Sequence, residues 1–136
     1  MMKIEVFSGE YDIAKFYSLM GHFFGEREHR KNMPYLVNEE DRIWIIATEN
    51  KKVVGFTTFI ERKSIIDLGY TFATNESLKN ELMDYRFEQL EEFKNKPLET
   101  VVWKVEDYSY WIRKGFDVIR ETTNYIFLRK DVENNE

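Results

Sequence analysis

The chain has no cysteine, two prolines, six glycines and two histidines in 136 residues, and each scarcity excludes something. Without cysteine there is no disulfide, no thiol nucleophile and no cysteine zinc site, so a reducing cytoplasmic compartment is the expected location. So little glycine and proline does not suit a loop-built or low-complexity protein, and no internal repeat is visible. No stretch approaches the ~18 apolar residues of a membrane span. The opening MMKIEVFSGE lacks the apolar run of a signal peptide, so an unprocessed chain away from membranes is expected. A surplus of positive charge is missing too. With 20 basic and 25 acidic residues the net charge is -5, the wrong sign for gripping nucleic-acid phosphates.

What is present is large apolar side chains: 43% of residues are hydrophobic, with 11 Phe, 8 Tyr and 3 Trp, enough area to offset the entropy of ordering. One domain over residues 1–130 with a polar tail at 131–136 is the expectation. KIEVF (3–7) alternates and predicts a first strand, and Ile13, Phe16, Tyr17, Met20 and Phe24 recur at helical spacing up to Gly25. The charged stretch 26–42, broken at Pro34, predicts a short helix or a loop. IWIIAT (43–48), VVGFTTFIE (53–61) and SIIDLGYTF (64–72) read as a three-stranded meander.

From Ser77 to Phe93 the period changes to helical, with Leu78, Leu82, Met83, Tyr85, Leu90 and Phe93 on one side and Asp84, Glu88 and Glu91 opposite. TVVWKV (100–105) reads as a central strand covered on both faces. DYSYWIRK (107–114) gives at most two helical turns, stopped by Gly115, and FDVIRE (116–121) and NYIFLRK (124–130) are the last strands. The order is β α (α) β β β α β α β β.

This order, with Asp12-Ile13 opening the first helix, Val53-Val54-Gly55-Phe56 in the third strand and WIRKGF (111–116) as an aromatic-x-x-x-Gly-Phe segment, resembles the GNAT superfamily of N-acetyltransferases. The likeness spans nearly the whole chain. It implies an α/β (α+β) fold, a mixed, mostly antiparallel sheet of six to seven strands with helices on both faces. It also implies an acyl-CoA-dependent N-acyltransferase, acetyl-CoA being the co-substrate, that acts on an amine. In the family the cofactor lies where strands four and five splay apart, and its pyrophosphate sits on a Gly-rich loop at the start of the next helix, an anion site by its orphan N–H groups and dipole. Carried onto this chain, the cofactor-binding residues are Leu68, Gly69, Tyr70, Thr71, Phe72, Thr74, Asn75, Ser77, Leu78 and Lys79.

The sequence departs from that pattern at three places. The stretch Thr71 to Lys79 holds no glycine, and Glu76 puts negative charge where a pyrophosphate would sit. Thr74, Asn75 or Ser77 would serve equally as a plain helix cap. Family enzymes often place a Tyr general acid where this chain has Trp111, whose indole can donate a hydrogen bond but not transfer a proton. The acid role passes to Tyr108 or Tyr110, which read equally as rim or core aromatics. The short helix that carries them is about a turn shorter than is usual in the family. Asp67, on the fourth strand, is the carboxylate best placed for a general base, and solvated strand-end charge is its plainer reading.

Other residues carry weaker signals. His22 and His29 read as surface histidines, since a metal site needs three or four converging ligands and no such set is visible. Either histidine, Glu39, Glu40 or Asp41 could relay a proton through water. Arg42, Arg62 and Lys63 suit the acidic end of a cofactor or ordinary solubilising charge.

The partners implied are a small-molecule or protein amine acceptor, no nucleic acid and no membrane, with the chain a monomer or homodimer. The rival reading is a binding or regulatory protein that keeps the fold and has lost the cofactor. Usage rich in Lys, Glu, Asn, Ile and Phe suits a virus or an AT-rich bacterium, and an inhibitor of a host protein encoded by a phage fits that setting. Tyr35, Tyr70, Tyr108 and Tyr110 would then suit a protein interface. The two readings separate on whether strands four and five splay over the helix start at Ser77, or a side chain such as Phe72 fills the gap.

Overall fold

The alternating and helical spacings of apolar residues give, in the computed structural model, β1 (Lys3–Phe7), α1 (Ile13–Gly25), α2 (Arg27–Asn32), β2 (Ile43–Glu49), β3 (Lys52–Glu61), β4 (Ile66–Ala73), α3 (Glu76–Gln89), a 3-10 turn (Leu90–Phe93), β5 (Leu98–Trp103), α4 (Ser109–Arg113), β6 (Asp117–Glu121) and β7 (Tyr125–Lys130). The structure describes residues 2–132 apart from Tyr35 and Lys94, and of Arg30 the backbone only. The seven strands form one sheet in the order β1-β2-β3-β4-β5-β7-β6. β4 and β5 run parallel, whereas β1–β2, β2–β3, β5–β7 and β6–β7 are antiparallel. This is the mixed, mostly antiparallel sheet of six to seven strands that the resemblance implies.

The chain falls into two compact units that interleave along the sequence, Met1–Phe59 with Tyr70–Gln89 and Ile60–Gly69 with Leu90–Glu136. In the first, Asp12 caps α1 by accepting the Lys15 N–H at 3.1 Å, and the stripe Phe16, Met20 and Phe23 packs on Trp44, Ile46 and Phe56. Burying each such side chain contributes roughly 1.5–3 kcal/mol. Neighbouring residues of a strand point to opposite faces, so Gly55 faces away from α1. A Cβ at Gly55 would lie 2.7 Å from the Leu82 side chain, which places α3 on that second face. Both faces of β3 are therefore covered, and residues 55–60 are buried without a break. The β2–β3 turn is made by Asn50 and Lys51, both at positive φ (53° and 65°), the geometry of a tight antiparallel hairpin.

In the second unit, Thr100, Val102, Ile126 and Leu128 are buried in one layer, and the buried Trp111 and Phe116 meet edge to face at 5.1 Å. Gly115 ends α4 at φ 94°, a left-handed residue of the kind that a helix stop favours. β5 corrects one expectation. It is not covered on both faces, because Thr100 and Val102 turn inward while Val101 is 45% exposed. A short apolar run cannot by itself tell a half-buried strand from a fully buried one. The long helix is also shorter than its periodicity suggests. It is α-helical to Gln89 and tightens into the 3-10 turn, so Tyr85 and Phe93 are half-buried while the unforeseen Arg86 is fully buried.

Candidate functional site

β4 pairs with β5 over Ile66–Leu68 only, against Leu98–Thr100, and runs on to Ala73. At the last pair Thr100 Oγ1 donates to the Leu68 carbonyl (3.3 Å), and Leu68 itself is buried. Gly69 and Tyr70 follow, half-buried. The Thr71 and Thr57 hydroxyl oxygens lie 2.7 Å apart, so a hydroxyl pair ties β4 to β3 at that point. Phe72 stacks on Phe56 at 5.7 Å and meets Phe23 at 5.1 Å, which directs its ring into the core of the first unit.

The connection from β4 to α3 is short and its amides are largely spoken for. The Thr74 N–H donates to the Val54 carbonyl at 3.0 Å, extending the sheet by one bond. Asn75 is the cap: its Oδ1 accepts the Leu78 N–H at 2.8 Å, and its carbonyl accepts the Lys79 N–H at 3.1 Å. Leu78 is buried, Lys79 is half-buried, and Thr74, Asn75, Glu76 and Ser77 are exposed. Gly55 permits the close approach that shapes this end of β4, because a Cβ there would lie 2.9 Å from the Phe72 carbonyl oxygen.

The candidate acid and base groups belong to the second unit. Asp67 Oδ2 accepts from Arg62 Nε at 3.2 Å in a half-exposed ion pair beside the β3–β4 turn, itself closed by the Arg62 N–H on the Ile65 carbonyl. Tyr108 is the N-cap residue of α4 and Tyr110 lies in its first turn, both half-buried. Tyr110 meets Trp111 edge to face at 5.5 Å, with the Lys114 ammonium 5.5 Å from its ring centre. Trp111 fills a core position, as its 7% exposure shows. Ahead of α4, the Ser109 backbone N–H donates to Asp107 and holds that carboxyl below the usual carboxylate range. Tyr35 lies outside the described residues, as do residues 133–136 of the tail.

Three features escape a reading of the sequence. One histidine is not a surface group: His22 is exposed as expected, but His29 is half-buried, the two rings 5.8 Å apart edge to face and both against Phe23, with His29 also meeting Phe72 at 5.8 Å. α1 does stop at Gly25, but α2 starts at Arg27 and folds His29 back onto the first helix. Arg42 is likewise no solubilising charge. It is buried, donating to Thr58 Oγ1 at 3.4 Å and Glu39 Oε1 at 3.2 Å. Arg86, fully buried, donates to the Thr58 carbonyl at 3.1 Å, and the signal for it is its place in the stripe Leu82, Arg86, Leu90. Among the described residues no group of three or more His, Asp or Glu is arranged to hold a metal ion, and no helix is long and apolar enough to cross a membrane.

No protein-family model and no curated protein matches the sequence. Solved structures do match it. Escherichia coli ElaA is 15% identical with a TM-score of 0.76, over 96% of this chain and 100% of that one. An acyl-CoA N-acyltransferase from Pseudomonas aeruginosa is 14% identical with a TM-score of 0.75, over 96% and 99%. The PaiA N-acetyltransferase from Thermoplasma acidophilum, solved in complex with coenzyme A, is 12% identical with a TM-score of 0.60, over 95% and 99%. At such identities what is shared is the fold, and with its seven-stranded mixed sheet and a helix leading from β4 to the parallel β5, this chain has the fold of the GNAT N-acetyltransferases.

Proposed function

We propose that this chain is an N-acyltransferase that moves an acyl group, acetyl by resemblance, from a pantetheine thioester such as acetyl-CoA to an amine. The observation that carries the reading is β4, which leaves its parallel register with β5 after Leu68 and continues to Ala73 in a fold shared with an acyl-CoA N-acyltransferase. Backbone groups of Gly69–Phe72 would then meet the amides of the donor's arm and polarise the thioester carbonyl. In the transfer the amine nitrogen bonds to the acyl carbon, the carbon–sulfur bond breaks, and the proton shed by the amine ends on the departing thiolate. Asp67 is the proposed base and must exchange its Arg62 partner to act. Tyr108 or Tyr110 is the proposed acid. The acceptor is an amine of a small molecule or a protein.

A second reading has one specific observation in its favour. The α3 terminus, capped by Asn75 and headed by Glu76, suits a fold kept for binding a protein after cofactor loss. Thermal unfolding with and without acetyl-CoA separates the two. A ligand that binds only the folded state, at ~100 times its dissociation constant, adds ~2.7 kcal/mol. For a chain of this length that is a rise of about 5 to 12 °C. No rise at saturation sinks the transferase reading.

A further inference from the structure

We infer that the donor is held by its acyl-pantetheine arm alone and that the start of α3 does not take its diphosphate; the inference rests on the transferase reading above. A helix start binds phosphate when several N–H groups and the positive end of the dipole are aimed at the ligand. Here that capacity is reduced. The Leu78 N–H is taken by Asn75 Oδ1 at 2.8 Å and the Thr74 N–H by Val54 at 3.0 Å, while the Lys79 N–H makes the ordinary helical bond to the Asn75 carbonyl at 3.1 Å. What remains of the first turn, the Glu76 and Ser77 N–H groups, sits beside the Glu76 carboxylate, which occupies the favourable end of the dipole.

The backbone offers no alternative cradle. Among the described residues only Gly9, Asp41, Asn50, Lys51 and Gly115 have positive φ, so Ala73–Lys79 forms no anion-binding nest of alternating hand. Space does not open behind it either, since the Cβ position of Gly55 is filled by Leu82 and the Phe72 carbonyl. The start of α3 thus does not fit a doubly charged diphosphate. The donor class is an acyl-phosphopantetheine thioester, whether that arm belongs to coenzyme A or to the prosthetic group of a carrier protein.

Calorimetric titration of the whole chain with acetyl-CoA and with S-acetylpantetheine, which carries neither phosphate of the diphosphate, tests this and needs no acceptor. The two dissociation constants should agree within about threefold, and 3′-phospho-ADP should displace neither donor. A loss of more than about threefold on truncation, or displacement by 3′-phospho-ADP, overturns the inference and leaves the transferase reading standing. Binding of neither donor overturns both. Titration with an acyl carrier protein bearing the acetylated arm distinguishes the sources. Tighter binding than the free arm supports the inference with the carrier as source, and weaker binding supports it with coenzyme A as source.

Discussion

Gly55 of β3 and Phe72 of β4 approach so closely that the missing side chain of one is the room for the backbone of the other: a Cβ at Gly55 would lie 2.9 Å from the Phe72 carbonyl oxygen and 2.7 Å from Leu82. The carbonyl cannot swing aside as a side chain can, so an added methyl must move β4 or α3.

Gly55→Ala should therefore destabilise the fold by about 1–3 kcal/mol, the usual cost of overpacking. Gly21→Ala is the control. Nothing lies within 4 Å of that Cβ position inside α1, and removing a helical glycine should stabilise by about 0.5–1 kcal/mol. Denaturant unfolding of the two variants reads both signs, and a neutral Gly55→Ala would contradict the close approach.

The cap on α3 is separable from any ligand. Asn75→Ala leaves the Leu78 N–H without its acceptor and should cost about 0.5–2 kcal/mol, whereas Asn75→Asp, which keeps an acceptor oxygen, should cost far less. Equal losses in the two variants would show that the side chain caps nothing.

Arg86 of α3 is fully buried and reaches the Thr58 carbonyl at 3.1 Å. Truncation to Ala removes a large packed side chain and should lose about 2–4 kcal/mol. Arg113→Ala, on the exposed side of α4, should stay within about 0.5 kcal/mol of the parent. Chemical denaturation compares them, and a mild Arg86→Ala would mean the guanidinium is not part of the core.

Glu5 gives a pH dependence with a definite sign. The Lys15 hydrogen bond, with the charges of Lys15 and Lys3, holds its carboxyl below the usual carboxylate range despite some desolvation. A carboxyl whose folded value is lowered stabilises above its unfolded value, and that contribution is lost as pH falls through the folded one. Stability profiles of the parent and Glu5→Gln should hence converge on acidification and differ at neutral pH, by less than about 1 kcal/mol because the pair is solvent-facing. Profiles that run parallel across that range would remove Glu5 from the account.

Much of this architecture is legible from periodicity. Of the stripe Ile13, Phe16, Tyr17, Met20 and Phe24 read from the spacing, Phe16 and Met20 lie in the first unit's core, but Ile13 and Tyr17 are exposed and the spacing omits the buried Phe23; Gly115 ends α4 as a left-handed residue should. What escapes is whatever depends on chains meeting far apart in sequence. His29 looks like a surface group because the break at Gly25 conceals that α2 folds back onto Phe23. Arg42 looks solvated because a charged residue is so by default, and Arg86 carries no signal but its spacing; their burial and their contacts with Thr58 show otherwise. Of the site, the strand and the helix start were foreseeable. That Thr74, Leu78 and Lys79 had already committed their N–H groups was not, because hydrogen-bond partners are a property of the folded backbone.

The three indoles make the molecule its own spectroscopic probe. Trp44 is wholly buried in the first unit with its Nε1–H donated to Asn38, while Trp103, stacked on Tyr125 at 4.7 Å, and Trp111 belong to the second. A chain carrying Trp103→Phe and Trp111→Phe would emit from one shielded indole, a blue-shifted fluorophore that follows the melting of α1 against β2 and β3 alone. The reciprocal variant, Trp44→Phe, would leave the light to the other unit, so that each half of the protein could be watched separately as denaturant rises.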